Sequence, residues 1–262
     1  DDWLTHWRQL PLDEASPLAL AVMGGCQADR AAWAFSAGYE AALRAMFPQI
    51  RGGGLHGFSL SEEGIRSPRD LQTLWQADDA GGIRLSGNKG WVPLPEHCEA
   101  YFVVCRASGQ DGALSVMRMP ATADGVAMSP RNPAAFMPEL PAARMQLQDV
   151  VLDASAMLPG DGWTDYARPF GALEELYVSV ALMGYLLREG RARDWPQAML
   201  RQMLAAITLL ERIAAEVESD QGLVLLAGAT EWINSPPLTP EALRGKGRAV
   251  VEHEPDLRKR PK

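Results

Sequence analysis

Cysteine is scarce in this chain: three residues, Cys26, Cys98 and Cys105, among 262. So odd and sparse a set makes no disulfide framework and points to a reducing compartment, read here as the cytoplasm. Cys98 and Cys105 border or lie in a predicted strand and are expected to pack as small hydrophobes. Metal-ligand spacing is also missing. His6, His56, His97 and His253 are far apart, and Glu252-His-Glu254 reads as a solvated tail rather than a metal site. The longest strongly apolar run, Val178 to Leu187, is ten residues, too short to cross a bilayer. Positive charge is in deficit, with 25 Lys and Arg against 33 Asp and Glu and a formal net charge of −8. No basic stripe is available to neutralise phosphates, so nucleic acid is not expected as a partner. The basic run Arg258 to Lys262 reads as a solvated tail. The chain begins Asp-Asp-Trp with no basic-then-apolar signal pattern and no initiator Met, which leaves open that residues precede Asp1.

What is present is an ordinary globular composition, 47% apolar and 22% charged. Ser16-Pro17 is a helix start, with Pro at the first helical position, and Gly24-Gly25 reads as an interruption. A second helical run covers Gln27 to Phe47. Trp33, Ala37 or Tyr39, Leu43 and Phe47 recur along one face, and Pro48 stops it. Arg51 to Gly57 is read as a hinge. Its Gly52…Gly54…Gly57 spacing formally matches G-x-G-x-x-G but follows a helix, where a dinucleotide fingerprint follows a strand.

From Phe58 to Met157 short β-favouring runs alternate with turns: Gly82–Leu85, Ala100–Arg106, Leu114–Arg118, Gly125–Met128 and Ala143–Leu152, with a tight hairpin at Asp111-Gly112. This pattern predicts a small antiparallel barrel or sandwich. After Pro159 to Gly162 helical spacing returns. Leu173, Leu176, Val180, Met183 and Leu187 share one face. Met199, Met203, Ile207, Leu210, Ala214 and Val217 share another, on a helix starting near Pro196. A third helix is predicted over Gly222 to Trp232 and a last start at Thr239. The predicted class is α+β multidomain: N-terminal helices (1–54), a β barrel or sandwich (55–157) and a C-terminal helical bundle (158–262).

Three segments in this order carry a resemblance. Phe58-Ser-Leu-Ser-Glu-Glu-Gly-Ile-Arg-Ser-Pro68 is similar to Tyr-x-x-Thr-Glu-Pro-Gly-Ala-Gly-Ser-Asp. Leu85 to Arg106, with Lys89-Gly-Trp91, is similar to Leu-x-Gly-x-Lys-x-Trp-Ile-Thr-Asn and its strand pair. Arg144 to Trp163 resembles Phe-x-Asp-Val-x-Val-Pro-x-x-x-Leu-Leu-Gly-x-x-Gly-x-Gly. These are motifs of the acyl-CoA dehydrogenase family, and the likeness covers residues 15 to 220.

The resemblance implies a β domain between two helical domains, FAD lying between the β domain and the C-terminal bundle, and self-association into at least a dimer through that bundle. Carried over by position, Phe58, Leu60, Ser61 and Ser67 would contact the flavin and its pyrophosphate, and Trp91 and Val92 would lie at the ring. Ser61 keeps the hydroxyl of the motif's Thr. Glu63 stands for Pro, Arg66 for Gly and Pro68 for Asp. Pro93 replaces the Thr that hydrogen-bonds the flavin's reactive nitrogen, and proline has neither a hydroxyl nor an N–H. The family's Arg-x-x-Phe-Gly and Gln-x-x-Gly-Gly segments are not found, and the chain stops before the place of the commonest catalytic Glu.

One subgroup carries its catalytic Glu on the first helix of the C-terminal domain, and Glu174 falls at that position. In the family's chemistry that carboxylate takes an α-proton from an acyl thioester, which favours a base whose pKa burial raises. The plainer reading, and the one the sequence favours, is that Glu174 and Glu175 are solvated helix-surface charges. Two functions stay open. One is a flavoprotein oxidoreductase acting on acyl-CoA. The other is a non-catalytic relative that serves as a binding or subunit-pairing scaffold, a reading to which Pro93 and Arg66 point.

Overall fold

The computed structural model describes residues 2–78, 81–109, 113–132, 137–216 and 219–233. The hairpin expected at Asp111-Gly112, the helix start at Thr239, Glu252-His-Glu254 and the basic run at 258–262 lie outside the described residues. The chain divides into two compact units. One comprises Asp1–Gly53, Ala134–Pro138 and Phe170–Lys262; the other comprises Gly54–Pro133 and Glu139–Pro169.

The first unit is helical: α1 (Asp2–Arg8), α2 (Pro17–Gln27), α3 (Ala31–Met46), α4 (Arg168–Ala192), α5 (Gln197–Ala214) and α6 (Asp220–Ile233). Helix α2 begins as its sequence predicts, with Pro17 in the first turn and the Ser16 side chain accepting from the Ala19 N–H. It runs straight through Gly24-Gly25, so the expected interruption is absent. These glycines serve close helix packing instead. A Cβ on Gly25 would lie 2.0 Å from the Ala181 carbonyl oxygen of α4, and one on Gly38 of α3 would lie 2.4 Å from the Val178 Cα. Gly184 of α4 returns the contact, its Cβ position lying 2.7 Å from the Val22 oxygen.

Helix α3 is buried on most of its circumference, Ser36, Glu40 and Arg44 included. Arg44 donates to the Leu12 carbonyl (3.2 Å) and the Gly52 carbonyl (2.6 Å), with Glu40 3.5 Å away and the Trp7 ring beneath its guanidinium. This ties the loop before α2 and the end of the segment to one side chain. Helix α5 buries Met199, Met203 and Leu210 of the face its spacing predicts, with Leu200, Ala206 and Ile213 beside them; Ile207 and Ala214 are half-buried and Val217 lies outside the described residues. Helix α4 is longer than the ten-residue apolar run. Together with a preceding π-helical turn (Gly162–Ala167) it makes the one helix, among the described residues, long and apolar enough to cross a membrane. Its apolar window is 56% buried inside the protein, as the central helix of a bundle is.

The second unit holds a seven-stranded sheet: β1 (Leu55–Ser59), β2 (Leu74–Ala77), β3 (Ile83–Pro93), β4 (Cys98–Ala107), β5 (Leu114–Pro120), β6 (Val126–Pro130) and β7 (Ala142–Leu152). The strand order is β1-β4-β2-β3-β7-β6, with β5 on β4. Strand β4 is its core. It is buried along most of its length, antiparallel to β5, and parallel to β1 over its first half and to β2 at its end. The sheet is therefore mixed where the sequence predicted antiparallel pairing. Among the described residues no pairing joins β5 to β6 to close a ring. Strand β1 occupies part of the segment read as a hinge. All five of its residues are buried, so it shows no alternation to betray it.

Candidate functional site

The segments singled out by sequence as Phe58 to Ser67 and Trp91-Val92 meet within the β unit. Phe58 is buried on β1, in register with Phe102 of β4. Beyond β1 the chain turns along β3, and the Gly90 N–H donates to the Ser61 carbonyl at 2.7 Å. A Cβ on Gly90 would sit 3.3 Å from the Glu63 nitrogen, so the loop lies directly on the strand. There β3 bulges: its pairing with β7 slips between Lys89 and Val92, placing Trp91 within the irregularity. Bulges of this kind re-aim a side chain and are frequent beside functional sites. Trp91 is half-buried, Val92 is fully buried, Leu60 and Ser67 are half-buried and Ser61 is exposed. The Gly90 carbonyl accepts from the Arg131 guanidinium.

The loop is anchored by a buried ion pair that sequence reasoning did not single out. Lys89 is wholly buried, and its Nζ lies 2.8 Å from Glu62 Oε1 and 3.3 Å from the Leu60 carbonyl. Glu62 also accepts from the Gln72 N–H (2.6 Å), the Thr73 N–H (3.0 Å) and the Thr73 hydroxyl (2.6 Å). Burial pushes the Glu62 pKa up, but the Lys89 ammonium and these hydrogen bonds outweigh it and hold the carboxyl below its ordinary range. Burial pushes Lys89 down against the pull of Glu62. Cys105, buried on β4, is pushed up to about 12, chiefly by burial. It behaves as an inert small hydrophobe, as expected of it, and none of the three cysteines is in a disulfide. Glu62 and Lys89 are 27 positions apart, a separation at which spacing shows nothing. The available signal was a charge, Lys89, beside the apolar end of a strand.

The other predicted site residue, Glu174, belongs to the helical unit, on α4. Glu174 and Glu175 are both half-buried, so neither is the fully solvated surface charge of the plainer expectation. Glu175 accepts from the Thr230 hydroxyl of α6 at 3.0 Å.

The β unit supplies some of what a flavin ring needs. The backbone at Ser61 and Glu63 lies on β3 at Gly90, next to Trp91. Gly64 has φ +78°, and a Cβ there would meet nothing within 4 Å, so space is open beside the loop. Pro93 does not fit the family pattern: it is buried at the end of β3 opposite Ala142 and offers no donor. Leu94 follows at φ +45°, in the left-handed region, where the family motif carries Asn.

An α+β chain with a seven-stranded mixed sheet, a bulged Lys-Gly-Trp strand and a bundle of long helices has the acyl-CoA dehydrogenase-like fold. Solved structures bear this out. An FAD-dependent dehydrogenase superposes with TM-score 0.63 at 11% identity, covering 96% of this chain and 87% of that one. Butyryl-CoA dehydrogenase from Megasphaera elsdenii does so with TM-score 0.60 at 15% identity, covering 87% and 74%. TdsC from Paenibacillus sp. A11-2, solved with FMN and indole, does so with TM-score 0.64 at 14% identity, covering 82% and 69%. No family model matches the chain, and no curated protein matches it. The likeness is therefore one of fold.

Proposed function

We propose that this chain is a divergent acyl-CoA dehydrogenase-like flavoprotein, laid out as N-terminal helices (1–54), a β domain (55–157) and a C-terminal bundle (158–262). Phe58, Leu60, Ser61, Ser67, Trp91 and Val92 hold FAD on the β domain. When bound, FAD supplies a two-electron acceptor for a hydride. Glu174 takes the α-proton of an acyl thioester such as an acyl-CoA. The protein works as a homo-oligomer, at least a dimer, in the cytoplasm. The observation that carries this reading is the docking of the Leu60–Gly64 loop on the Gly90–Trp91 bulge through the Gly90-to-Ser61 hydrogen bond. The loop's backbone is thereby held against β3 at Gly90, the residue next to Trp91. Leu204, Leu209, Leu223, Val224 and Leu225, exposed on α5 and α6, supply apolar surface for self-association.

The buried Pro93 favours a second reading, a non-catalytic homologue that retains the scaffold for binding or subunit pairing. Titrating the purified protein with FAD separates the two. Bound flavin that is bleached by an acyl-CoA supports the oxidoreductase. Bound flavin that no acyl-CoA bleaches supports the scaffold. Protein that takes up no flavin ends the flavoprotein reading.

A further inference from the structure

We infer that the Glu62–Lys89 pair is a positioning device that locks the Leu60–Gly64 loop onto the Gly90–Trp91 bulge. Four observations carry it. Both charges are buried, an arrangement that well-packed apolar residues commonly match or better in stability, so stability alone is a weak reason for it. Its best-attested use is to fix register, and here it sits at the slip between Lys89 and Val92, where the pairing of β3 with β7 shifts. The Glu62 carboxylate joins three separate stretches, accepting from Lys89 on β3 and from Gln72 and Thr73 ahead of β2 while lying in the loop itself. Lys89 adds a hydrogen bond to the Leu60 carbonyl, so each partner grips a residue adjacent to those that meet at the Gly90-to-Ser61 bond.

The extent of the lock is set by neighbours that leave no slack. A Cβ on Gly87 would lie 2.5 Å from the Thr73 Cα, so the strand before the bulge is pressed against the very residue that Glu62 holds. By contrast, Glu63 and Arg144 pair at the surface, with about half of each side chain exposed, and are expected to contribute little. The step from loop position to flavin contact rests on the function proposed above; the lock itself does not.

The test is amide hydrogen exchange on the full chain, read at Gly90 and at Gln72–Thr73, together with FAD titration. The variant Glu62→Met/Lys89→Met removes both charges at similar volume. Thr73→Val, which removes one of the four hydrogen bonds to the carboxylate, is a milder perturbation should the double variant not fold. Glu63→Gln is the surface control. The double variant is expected to exchange at Gly90 roughly tenfold faster or more, with Thr73→Val intermediate and β4–β5 amides and Glu63→Gln unchanged. FAD affinity should fall roughly tenfold in parallel. Faster exchange in a chain whose wild type binds no FAD upholds the lock and removes only the flavin reading. Unchanged Gly90 exchange in both Thr73→Val and a folded double variant overturns the lock, whatever FAD does.

Discussion

The same substitution, glycine to alanine, should have opposite effects at two places in the helical unit. In a helix interior alanine is favoured over glycine by about 0.8–1 kcal/mol. At Gly171 of α4 an added Cβ meets nothing within 4 Å, so Gly171→Ala should keep that gain. At Gly38 of α3 the added carbon would lie 2.4 Å from the Val178 Cα and 2.7 Å from the Tyr177 oxygen and Val178 nitrogen. All three are backbone atoms, so no rotamer change relieves the clash, and α3 and α4 must separate by about 1 Å. Overpacking against backbone at these distances falls in the upper part of the usual range, about 2–3 kcal/mol, which exceeds the propensity gain. Gly38→Ala is expected to lose about 1–2 kcal/mol and Gly171→Ala to gain up to about 1. With a urea slope of about 2 kcal/mol per molar, the unfolding midpoints should move about 0.5–1 M down and up to about 0.5 M up, respectively. A Gly38→Ala midpoint at or above that of the wild type would refute the packing argument, since the helices would then have room that the distances deny.

Three further outcomes follow from the site. Pro93→Thr restores a hydroxyl and an N–H at the motif position, and should tighten FAD binding by about 1 kcal/mol, or roughly fivefold, in a fluorescence titration. Glu174→Gln should abolish acyl-CoA-dependent flavin bleaching while leaving flavin bound, whereas Glu175→Gln should chiefly lower the melting temperature by loosening α6, because Glu175 accepts from Thr230. Glu62 has a folded-state pKa below its unfolded value, so its contribution to stability is complete above about pH 4.5 and is lost as pH falls through the folded value. Acid titration of stability should therefore be flatter below that pH in Glu62→Met/Lys89→Met than in the wild type.

The helices and the motif order were legible because they rest on local chemistry. Ser16 and Pro17 announce α2, and Met199 to Ile213 show the period of α5 in the residues themselves. What was hidden depends on residues distant in sequence. Gly24-Gly25 looks like a break until Ala181 and Ala37 are known to press on it. Strand β1 shows no alternation because both its faces are covered, and β2 is only four residues long. Of the site residues carried over by resemblance, Phe58 falls on β1, Leu60, Ser61 and Ser67 on the loop after it, Trp91 and Val92 on β3 and Glu174 on α4, but that Glu62 and Lys89 pair to hold the loop to β3 was not read from the sequence. Glu62 and Lys89 each fall on a charged position of the quoted motifs, but their pairing shows only once the fold buries them against Thr73.

The helices of the helical unit lie in the first and last of its three stretches of chain, with all seven strands between them in sequence. During synthesis α2 and α3 leave the ribosome long before α4, against which Gly25 and Gly38 are shaped. Until then their glycine-lined surfaces have nothing to rest on. The sheet, by contrast, has all its strands once β7 emerges and can form first. The nascent protein must therefore carry an unfinished helical half past a folded insert, and a chaperone that shields α2 and α3 would be needed most in that interval.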